Sequence, residues 1–412
     1  MTIATDPPPR SSSVGSRRNM AGWVIGFGCS QLGDQIFALA IAWAAVQAGS
    51  AATVGLVIAA GSIPRIAILL FGGALADRLN AKLMIALADA ARALTLIIFA
   101  LLLMTDEPAV VALITVSVLI GTADGLFQPA IGALSVRLGP ESEIGRISAL
   151  RTTVSRLCLL IGGPISGAAL AWWGTAAAFA IAGVLFIGSV ASLVLIKIDR
   201  PAAASQPAAG NDSLIGEVVA GLRMVRRHPV LPWLLLMIGG LNFGFSGPMT
   251  AGIPLLADVL DWGPGAAGLI YGAFGLGAGT AGLSLVFVKR VPRAGWSALA
   301  AAAAVALALG AFALAAHPIA GIVAGAVLGV ASGIFGTTAN GLVMSSTPRS
   351  EIGRVMSLNA LVLESVLPAS LSLTGLLATL TSPSMTFAAG ALVLLLTLLI
   401  PVSRRQVRAA RL

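Results

Sequence analysis

Residues Gly72 to Lys82 read Gly-Gly-Ala-Leu-Ala-Asp-Arg-Leu-Asn-Ala-Lys and separate two long apolar segments. A carboxylate at the end of a hydrophobic helix is unusual, because the helix C-terminus already carries partial negative charge. Asp77 therefore needs compensation from Arg78, from Lys82 or from the N-terminus of another helix. The stretch predicts a short loop between two helices, whose charge is neutralised either locally or by a second part of the protein.

This loop resembles the G-x-x-x-D-R-x-G-R-R/K signature between the second and third helices of the major facilitator superfamily. The matching positions are Gly73, Asp77, Arg78 and Lys82. Asn80 and Ala81 replace the glycine and arginine that follow in the signature. The resemblance implies a gating loop. Asp89 and Arg92 are three residues apart in the next segment, and this spacing predicts a structural ion pair beneath the loop. The alternative is a short basic loop with no gating role.

The composition is that of an integral membrane protein. Hydrophobic residues make up 58% and charged residues 10%, against about 45–50% and about 25% in soluble domains, and the mean hydropathy is +0.98. Cys29 and Cys158 lie in separate apolar segments, which predicts neither a disulfide nor a metal site. His228 and His317 fall at segment ends, so we expect no catalytic constellation, no enzyme and no cofactor.

Twelve apolar segments are long enough to cross a bilayer, which takes about 20 residues. They are 22–48, 52–76, 83–104, 109–136, 148–172, 175–196, 230–256, 265–288, 295–316, 318–345, 355–380 and 384–402. Residues 1–21 are interpreted as a cytoplasmic tail, 403–412 as a basic cytoplasmic tail, and 197–229 as a cytoplasmic linker. In that linker, apolar residues at helical spacing predict an amphipathic helix on the membrane surface. These are Ile215, Val218, Val219, Leu222 and Val225.

The basic residues predict the orientation. All but four of the 25 lysines and arginines lie in the tails and the even-numbered loops, the exceptions being Arg65, Arg92, Arg151 and Arg156. Because basic residues concentrate on the cytoplasmic side, both termini are expected to be cytoplasmic in a bacterial inner membrane. The net charge of +9 is thereby explained by topology, and no nucleic-acid partner is expected.

The chain repeats itself. Pro140-Glu-Ser-Glu-Ile-Gly-Arg146 recurs as Pro348-Arg-Ser-Glu-Ile-Gly-Arg354, and the same alignment places Asp34 opposite Asn242. A parallel duplication of six helices joined by a long loop is the architecture of the two facilitator halves. We therefore predict an all-α membrane protein with twelve helices in two pseudo-symmetric halves, 22–196 and 230–402.

Further stretches resemble the bacterial exporter branch that includes enterobactin and macrolide efflux proteins. They are Gly33-Asp34, Phe127-Gln-Pro-Ala130 and Gly221-Leu-Arg-Met-Val-Arg-Arg-His-Pro-Val230. The fifth segment carries Gly162-Gly-Pro-Ile-Ser-Gly167, similar to the helix-5 motif of drug:proton antiporters. The resemblance implies roles for Gly163, Pro164 and Gly167 in that motif.

Polar side chains at helical spacing mark the first, fourth, seventh and tenth segments, which in the family line a central cavity. The uncharged candidates are Gln31, Gln35, Gln128, Asn242, Ser246, Thr337 and Asn340. Interhelical hydrogen bonding without a ligand is the alternative explanation. Because aromatic residues are few, a mostly apolar cavity and a hydrophobic or amphipathic substrate are expected.

Charged residues within a bilayer cost about 2.5–3.5 kcal/mol each and therefore indicate function. Asp34 and Arg65 both lie near the middle of their segments, and we expect them to form an ion pair whose separation drives protonation. Asp124 is the second candidate for proton coupling. The alternative is a permanent structural ion pair.

These patterns predict a monomeric secondary transporter that exports a small, largely hydrophobic molecule by proton antiport and alternating access. Its partners would be the substrate, protons and the lipid bilayer. Two other functions remain open, an importer or uniporter of a small solute and a non-transporting membrane scaffold or sensor.

Overall fold

The computed structural model describes residues 13–78, 80–105, 109–137, 143–194, 196, 222–287, 293–348 and 351–410. These residues are almost entirely helical and contain no β-strand. The helices are α1 (Ser13–Ala48), α2 (Ala51–Arg78), α3 (Ala81–Leu102), α4 (Val110–Arg137), α5 (Ile144–Val194), α6 (Leu231–Gly247), α7 (Ile253–Val259), α8 (Gly263–Phe287), α9 (Ala294–Ala313), α10 (Pro318–Ser346), α11 (Ile352–Leu380), α12 (Pro383–Ser403) and α13 (Arg405–Arg408). A π-helical turn, Pro248–Gly252, joins α6 to α7.

Ten helical segments in the described part of the chain are long and apolar enough to cross a membrane. One of them, α5, has 51 residues, which at about 1.5 Å per residue exceeds twice the thickness of a hydrocarbon core of about 30 Å. At Gly174 the backbone reverses, with φ 81° and ψ −178°, so α5 consists of two arms. The all-α membrane fold is thus confirmed, while the count of twelve spans stays a prediction that the two arms favour.

Both terminal boundaries differ from the prediction. α1 begins at Ser13, inside the expected tail, although its membrane-length part begins only at Asn19. After α12, the chain stays packed against the bundle. Val407 is fully buried, and the Gly295 N–H donates a hydrogen bond to the Ala410 carbonyl. The segment predicted to be a basic cytoplasmic tail therefore packs against the start of α9.

Part of the predicted surface helix in the linker is present. Residues 222–227 are helical, with Val225 buried and Arg223, Arg226 and Arg227 exposed. Ile215, Val218 and Val219 lie outside the described residues. Exposed arginines around a buried valine agree with a helix that lies on the protein near the membrane surface.

Successive spans run in opposite directions, and we name the two ends of the bundle accordingly. At the terminal end, α1 begins and α12 ends, and Lys82 at the start of α3 donates to the Ile196 carbonyl just after α5. At the far end, α2 begins and α11 ends. There the Thr175 hydroxyl, which follows the turn at Gly174, donates to the Gln47 side chain near the end of α1.

The two halves meet through two equivalent helix pairs, α2 with α11 and α5 with α8. Glycines allow this approach in the far half of the bundle. A methyl group on Gly55 of α2 would lie 2.7 Å from the Leu371 carbonyl of α11, and one on Gly167 of α5 would lie 2.7 Å from the Pro264 carbonyl. The predicted contact between the fifth and eighth spans is therefore present, with Gly163 and Pro164 packed on α8 as well.

Some glycines in the terminal half of the spans have open surroundings. A methyl group on each of six of them would have no described atom within 4 Å. These six are Gly132, Gly145, Gly279, Gly282, Gly336 and Gly353. The glycine contacts between the halves that the structure describes therefore lie in the middle and at the far end of the spans.

Candidate functional site

A cavity of about 330 Å³ lies in the middle of the bundle. α1, α2 and α4 form most of its wall, and the second half contributes Thr250, Leu367 and Leu371. Six of the predicted site residues line it: Gln31, Asp34, Gln35, Arg65, Asp124 and Gln128. The cavity is more polar than the sequence suggested, because three amides, three charged groups and the hydroxyls of Ser62 and Ser117 face it.

The polar residues predicted in the second half are not part of this lining. Three of them hydrogen-bond to their own helices, with Asn242 donating to the Ile238 carbonyl at 3.0 Å, Thr337 to Gly333 at 2.9 Å and Asn340 to Gly336 at 2.8 Å. Ser246 also lies outside the lining. The second-half wall of this cavity is instead supplied by α11 and the π turn, and a substrate role for the four second-half residues stays a prediction.

A buried guanidinium organises the carboxylates of the first half. Arg92 of α3 is 1% exposed, and its Nη atoms lie 3.1 Å from Asp89 Oδ1, 2.6 Å from Asp124 Oδ1 and 3.5 Å from Asp34 Oδ1. Its guanidinium also lies over the rings of Phe127 and Phe186. Four helices therefore converge on one arginine, since α1, α4 and α5 each place a partner against α3.

The predicted ion pair between Asp34 and Arg65 is not formed. Asp34 lies on Arg92 instead, and Arg65 pairs with Glu364 at 3.2 Å. The reason is that α11 packs along α2 and brings Glu364 to Arg65, while the long Arg92 side chain reaches Asp34 from α3. The sequence predicted Arg92 to lie under the gating loop. The i, i+3 spacing from Asp89 indicated that the two residues pair, but it did not show toward which neighbouring helices their side chains point.

Glu364 was missed as a site residue. The signal was available, since it is a carboxylate well inside an apolar span, where a charge needs a partner. The sequence alone could not tell which of the buried arginines would meet it.

The gating loop is described only in part. Gly73, Asp77 and Arg78 fall in α2, but their side chains lie outside the described residues. Lys82 donates to the Ile196 carbonyl at 2.6 Å, and the Asn80 side chain caps α3 by accepting from the Lys82 N–H at 3.0 Å. The motif therefore begins α3 and ties it to the end of α5, while the partner of Asp77 stays a prediction.

Comparison with known proteins identifies the family. The model of the Major Facilitator Superfamily matches residues 23–372. The chain belongs to this superfamily. As a member of this family it is a multi-pass membrane transporter.

Curated relatives of this facilitator include enterobactin exporters. The Enterobactin exporter EntS of Shigella boydii serotype 18 is 27% identical over 296 residues, which cover 70% of this chain and 68% of the relative. The same protein of Escherichia coli O127:H6 shows the same identity and coverage. These relatives are similar to this chain in sequence, which agrees with the exporter branch inferred above.

Solved structures share the fold. A bacterial homologue of the iron transporter ferroportin in an inward-facing state has a TM-score of 0.73 at 14% identity, covering 96% of this chain and 99% of that one. A point mutant of the nucleoside transporter NupG has a TM-score of 0.71 at 13% identity, with coverage of 92% and 100%. At such identities the likeness shows the facilitator fold alone.

Proposed function

We propose that this facilitator exports a small, largely hydrophobic or amphipathic molecule in exchange for protons across a bacterial inner membrane. The observation that carries the proposal is that Asp34 and Asp124 open into the same cavity as Gln31, Gln35 and Gln128. A proton site and a substrate site that share one cavity can compete, and competition couples entry of one to exit of the other.

The proposed substrate class is a drug, a macrolide-like compound or a siderophore. The similarity to enterobactin exporters supports a siderophore or a molecule of similar size and polarity. Amides, serines and a partly exposed arginine in the wall favour a ligand with several hydrogen-bonding groups on an apolar body. Gln31, Gln35 and Gln128 would bind those groups, and Leu367 and Leu371 would contact the apolar part.

The cycle follows from the arrangement of the halves. With its halves in contact at the far end, the transporter would load substrate from the terminal side, which the positive-inside rule assigns to the cytoplasm. Separation of α2 from α11 and of α5 from α8 would then open the cavity outward. Protons from outside would bind the carboxylates of the cavity before the next cycle. Asp77, Arg78 and Lys82 would restrain the terminal end during this change.

Import of a small solute and a non-transporting scaffold are the competing functions. A scaffold has no use for two carboxylates at the wall of a cavity in the middle of the membrane, since each lowers the stability of the inserted chain. Import would use the same residues with the opposite direction of substrate flux.

The test is substrate-dependent proton flux in proteoliposomes with an internal pH dye. The panel contains a catecholate siderophore, a macrolide and a lipophilic cation. We expect a compound gradient to drive proton movement in wild type and in the control Asp258→Asn, whose carboxylate is exposed at the far end. Asp34→Asn should abolish proton-driven uphill export while leaving downhill exchange. Uphill transport at the wild-type rate in Asp34→Asn would rule out its coupling role.

A further inference from the structure

Two buried hydrogen-bond donors on residues that line the cavity have no acceptor among the described residues. They are the Nε of Arg65 on α2 and the hydroxyl of Ser117 on α4. We infer that Arg65 and Ser117 form a subsite for an anionic oxygen group of the substrate, a carboxylate or a phenolate, and that this group displaces Glu364 from Arg65. Use of the subsite by a substrate rests on the proposed function, whereas the subsite itself rests on the unused donors.

Arg65 uses little of its capacity to donate hydrogen bonds. A guanidinium presents several N–H donors in a planar fork, which fits two oxygens of one anion at once. Within the described residues, the side chain of Arg65 makes one hydrogen bond, from Nη2 to Oε1 of Glu364 at 3.2 Å. Arg65 lines the cavity and Glu364 does not. The ion pair therefore leaves the other donors of Arg65 for a ligand in the cavity.

Close packing of α2 on α4 brings Ser117 next to Arg65. A methyl group on Gly61 would lie 2.7 Å from the Ser117 carbonyl, and one on Gly125 would lie 3.0 Å from the Arg65 carbonyl. Arg65 follows Gly61 by one helical turn, and helical side chains lean toward the N-terminus of their own helix, so the guanidinium extends toward the level of Ser117. Ser117 is 4% exposed. A buried donor without an acceptor is costly, and an anionic oxygen in the cavity would satisfy both donors.

The carboxylates on the opposite side of the cavity restrict where an anionic group can lie. Asp124 and Asp34 are already engaged by Arg92, at 2.6 Å and 3.5 Å, and they would repel an anion placed near them. An amine or a hydroxyl of the same molecule could instead donate to them, and protons would compete for those oxygens. The substrate class is therefore an amphoteric molecule, with an anionic oxygen group, a hydrogen-bond donor and an apolar body.

Displacement of Glu364 would connect substrate binding to the contact between the halves. Two anions on one guanidinium repel each other, and Glu364 is 24% exposed, so water can hydrate it when it leaves. The ion pair joins α2 to α11, and a substrate that replaces Glu364 removes this link. Because such coupling is reciprocal, removal of the Glu364 charge should strengthen the binding of an anionic substrate.

The test compares two fluorescent probes that differ in one negative charge. Nα-dansyl-lysine carries a carboxylate, an amine and an apolar body, and its methyl ester lacks only the negative charge. Binding to the purified transporter in lipid nanodiscs is measured by dansyl fluorescence at a fixed neutral pH. In Glu364→Gln the acid should bind about tenfold or more tighter than the ester, as expected for a hydrogen bond to a charged group. In wild type the preference should be smaller by about fivefold or less, because Glu364 competes for Arg65.

Variants of the two donors should have the opposite effect. Arg65→Gln should abolish the preference for the acid, and Ser117→Ala should reduce it by about two- to tenfold, the value of one neutral hydrogen bond. The controls are Arg156→Gln and Thr115→Ala, both at exposed positions outside the cavity lining, and they should keep the wild-type ratio. A purely structural ion pair would change the binding of acid and ester equally. If Arg65→Gln does not fold, the opposite shifts in Glu364→Gln and Ser117→Ala still decide.

Two results would overturn the subsite. One is the same ratio of acid to ester binding in wild type, Glu364→Gln and Ser117→Ala. The other is no binding of the acid to Glu364→Gln up to its solubility limit.

The subsite and the proposed export fail separately. Charge-dependent binding that responds to these variants, together with no flux of any compound, would contradict export and leave the subsite intact. Proton-driven export without any preference for the acid would contradict the subsite and leave export intact.

Discussion

Arg65 on α2 and Glu364 on α11 form an ion pair of 3.2 Å that joins the two halves of the transporter at the wall of its cavity. The two side chains are 31% and 24% exposed, so water reaches the pair and weakens it. The pair lies on the same two helices as the far-end contact of Gly55 with Gly375. It therefore has to break whenever α2 and α11 separate.

Glu364→Gln should increase the population that is open at the far end. A partly exposed ion pair contributes at most about 1 kcal/mol, which corresponds to a change in population of about fivefold or less. Spin labels at Ser50 and Thr381, in a Cys29→Ser/Cys158→Ser background, report the distance between the halves. The exchange Arg65→Glu/Glu364→Arg should restore the wild-type distribution. Labels at Ser50 and Thr105, both in the first half, should keep the same distance. An unchanged distance distribution between the halves in Glu364→Gln would show that the ion pair does not hold α2 against α11.

Gly167→Ala should destabilise the contact between α5 and α8. Its methyl group would lie 2.7 Å from the Pro264 carbonyl and 2.9 Å from Gly268 Cα, and neither backbone atom can move alone. Overpacking of this kind costs about 1–3 kcal/mol, seen as a lower melting temperature. Gly279→Ala is the matched control on α8, where no described atom lies within 4 Å of the added methyl, and its melting temperature should be unchanged or higher. Equal melting temperatures would show that the helices do not pack this closely.

Ser370→Ala should loosen the junction between α6 and the π-helical turn that follows it. The Ser370 hydroxyl accepts from the Gly247 N–H at 2.8 Å and donates to the Phe243 carbonyl at 2.6 Å, so it replaces a backbone bond of α6. Its removal leaves two buried polar groups without a partner, at a cost of about 1–3 kcal/mol. Hydrogen exchange should speed up around Gly247. Ser365→Ala on the same helix, an exposed position, should leave that exchange unchanged.

His228 should make the stability of the transporter depend on pH. Its Nδ1 accepts from the Val230 and Leu231 N–H groups at 3.2 Å and so caps α6, and burial lowers the pKa of His228 below its ordinary value of about 6.5. The neutral ring makes the cap, so its contribution is present above about pH 6.5 and is lost as the pH falls through the lower pKa of the folded state. A cap contributes about 1 kcal/mol.

The check is the difference in melting temperature between wild type and His228→Ala, which should be larger near pH 7.5 than near pH 5. His317→Ala is the control, because His317 precedes α10 without a side-chain capping bond. A difference for His228→Ala that stays constant with pH would show that the cap does not require the neutral ring.

The orientation can be tested by labelling. In the same cysteine-free background, Asp258→Cys at the far end should react with an impermeant thiol reagent in intact cells. Ser403→Cys at the terminal end should react only after the cells are opened. Both positions are exposed, so a reversed pattern would place the termini outside.

The sequence predicted the fold well because its apolar composition, the spacing of its segments and the repeat of its two halves all follow from one physical constraint. In lipid, every backbone polar group must be hydrogen-bonded within the protein, which favours helices. Gly163, Gly167 and their partners on α8 were found for the same reason, since small residues at four-residue spacing mark close helix contacts. The charged pairs were harder. Arg65 and Arg92 are both long side chains near the middle of their spans, and which carboxylate each meets depends on the rotation of α2 and α3 about their axes. Asn242, Thr337 and Asn340 were predicted to line a cavity, but their side chains donate hydrogen bonds to their own helices, and periodicity does not show this.

Gly174 joins the two arms of α5 by a single residue with positive φ. The first arm bears the glycines that contact α8, and the second bears Phe186 and Ser189, which contact Arg92 and Asp89. Because the connection is a single residue, the two arms can move relative to each other less than two helices joined by a long loop. We therefore expect that, when the first arm slides along α8, the second arm moves with it. This movement would displace the Ser189 hydroxyl and the Phe186 ring, which contact the buried Asp89 and Arg92.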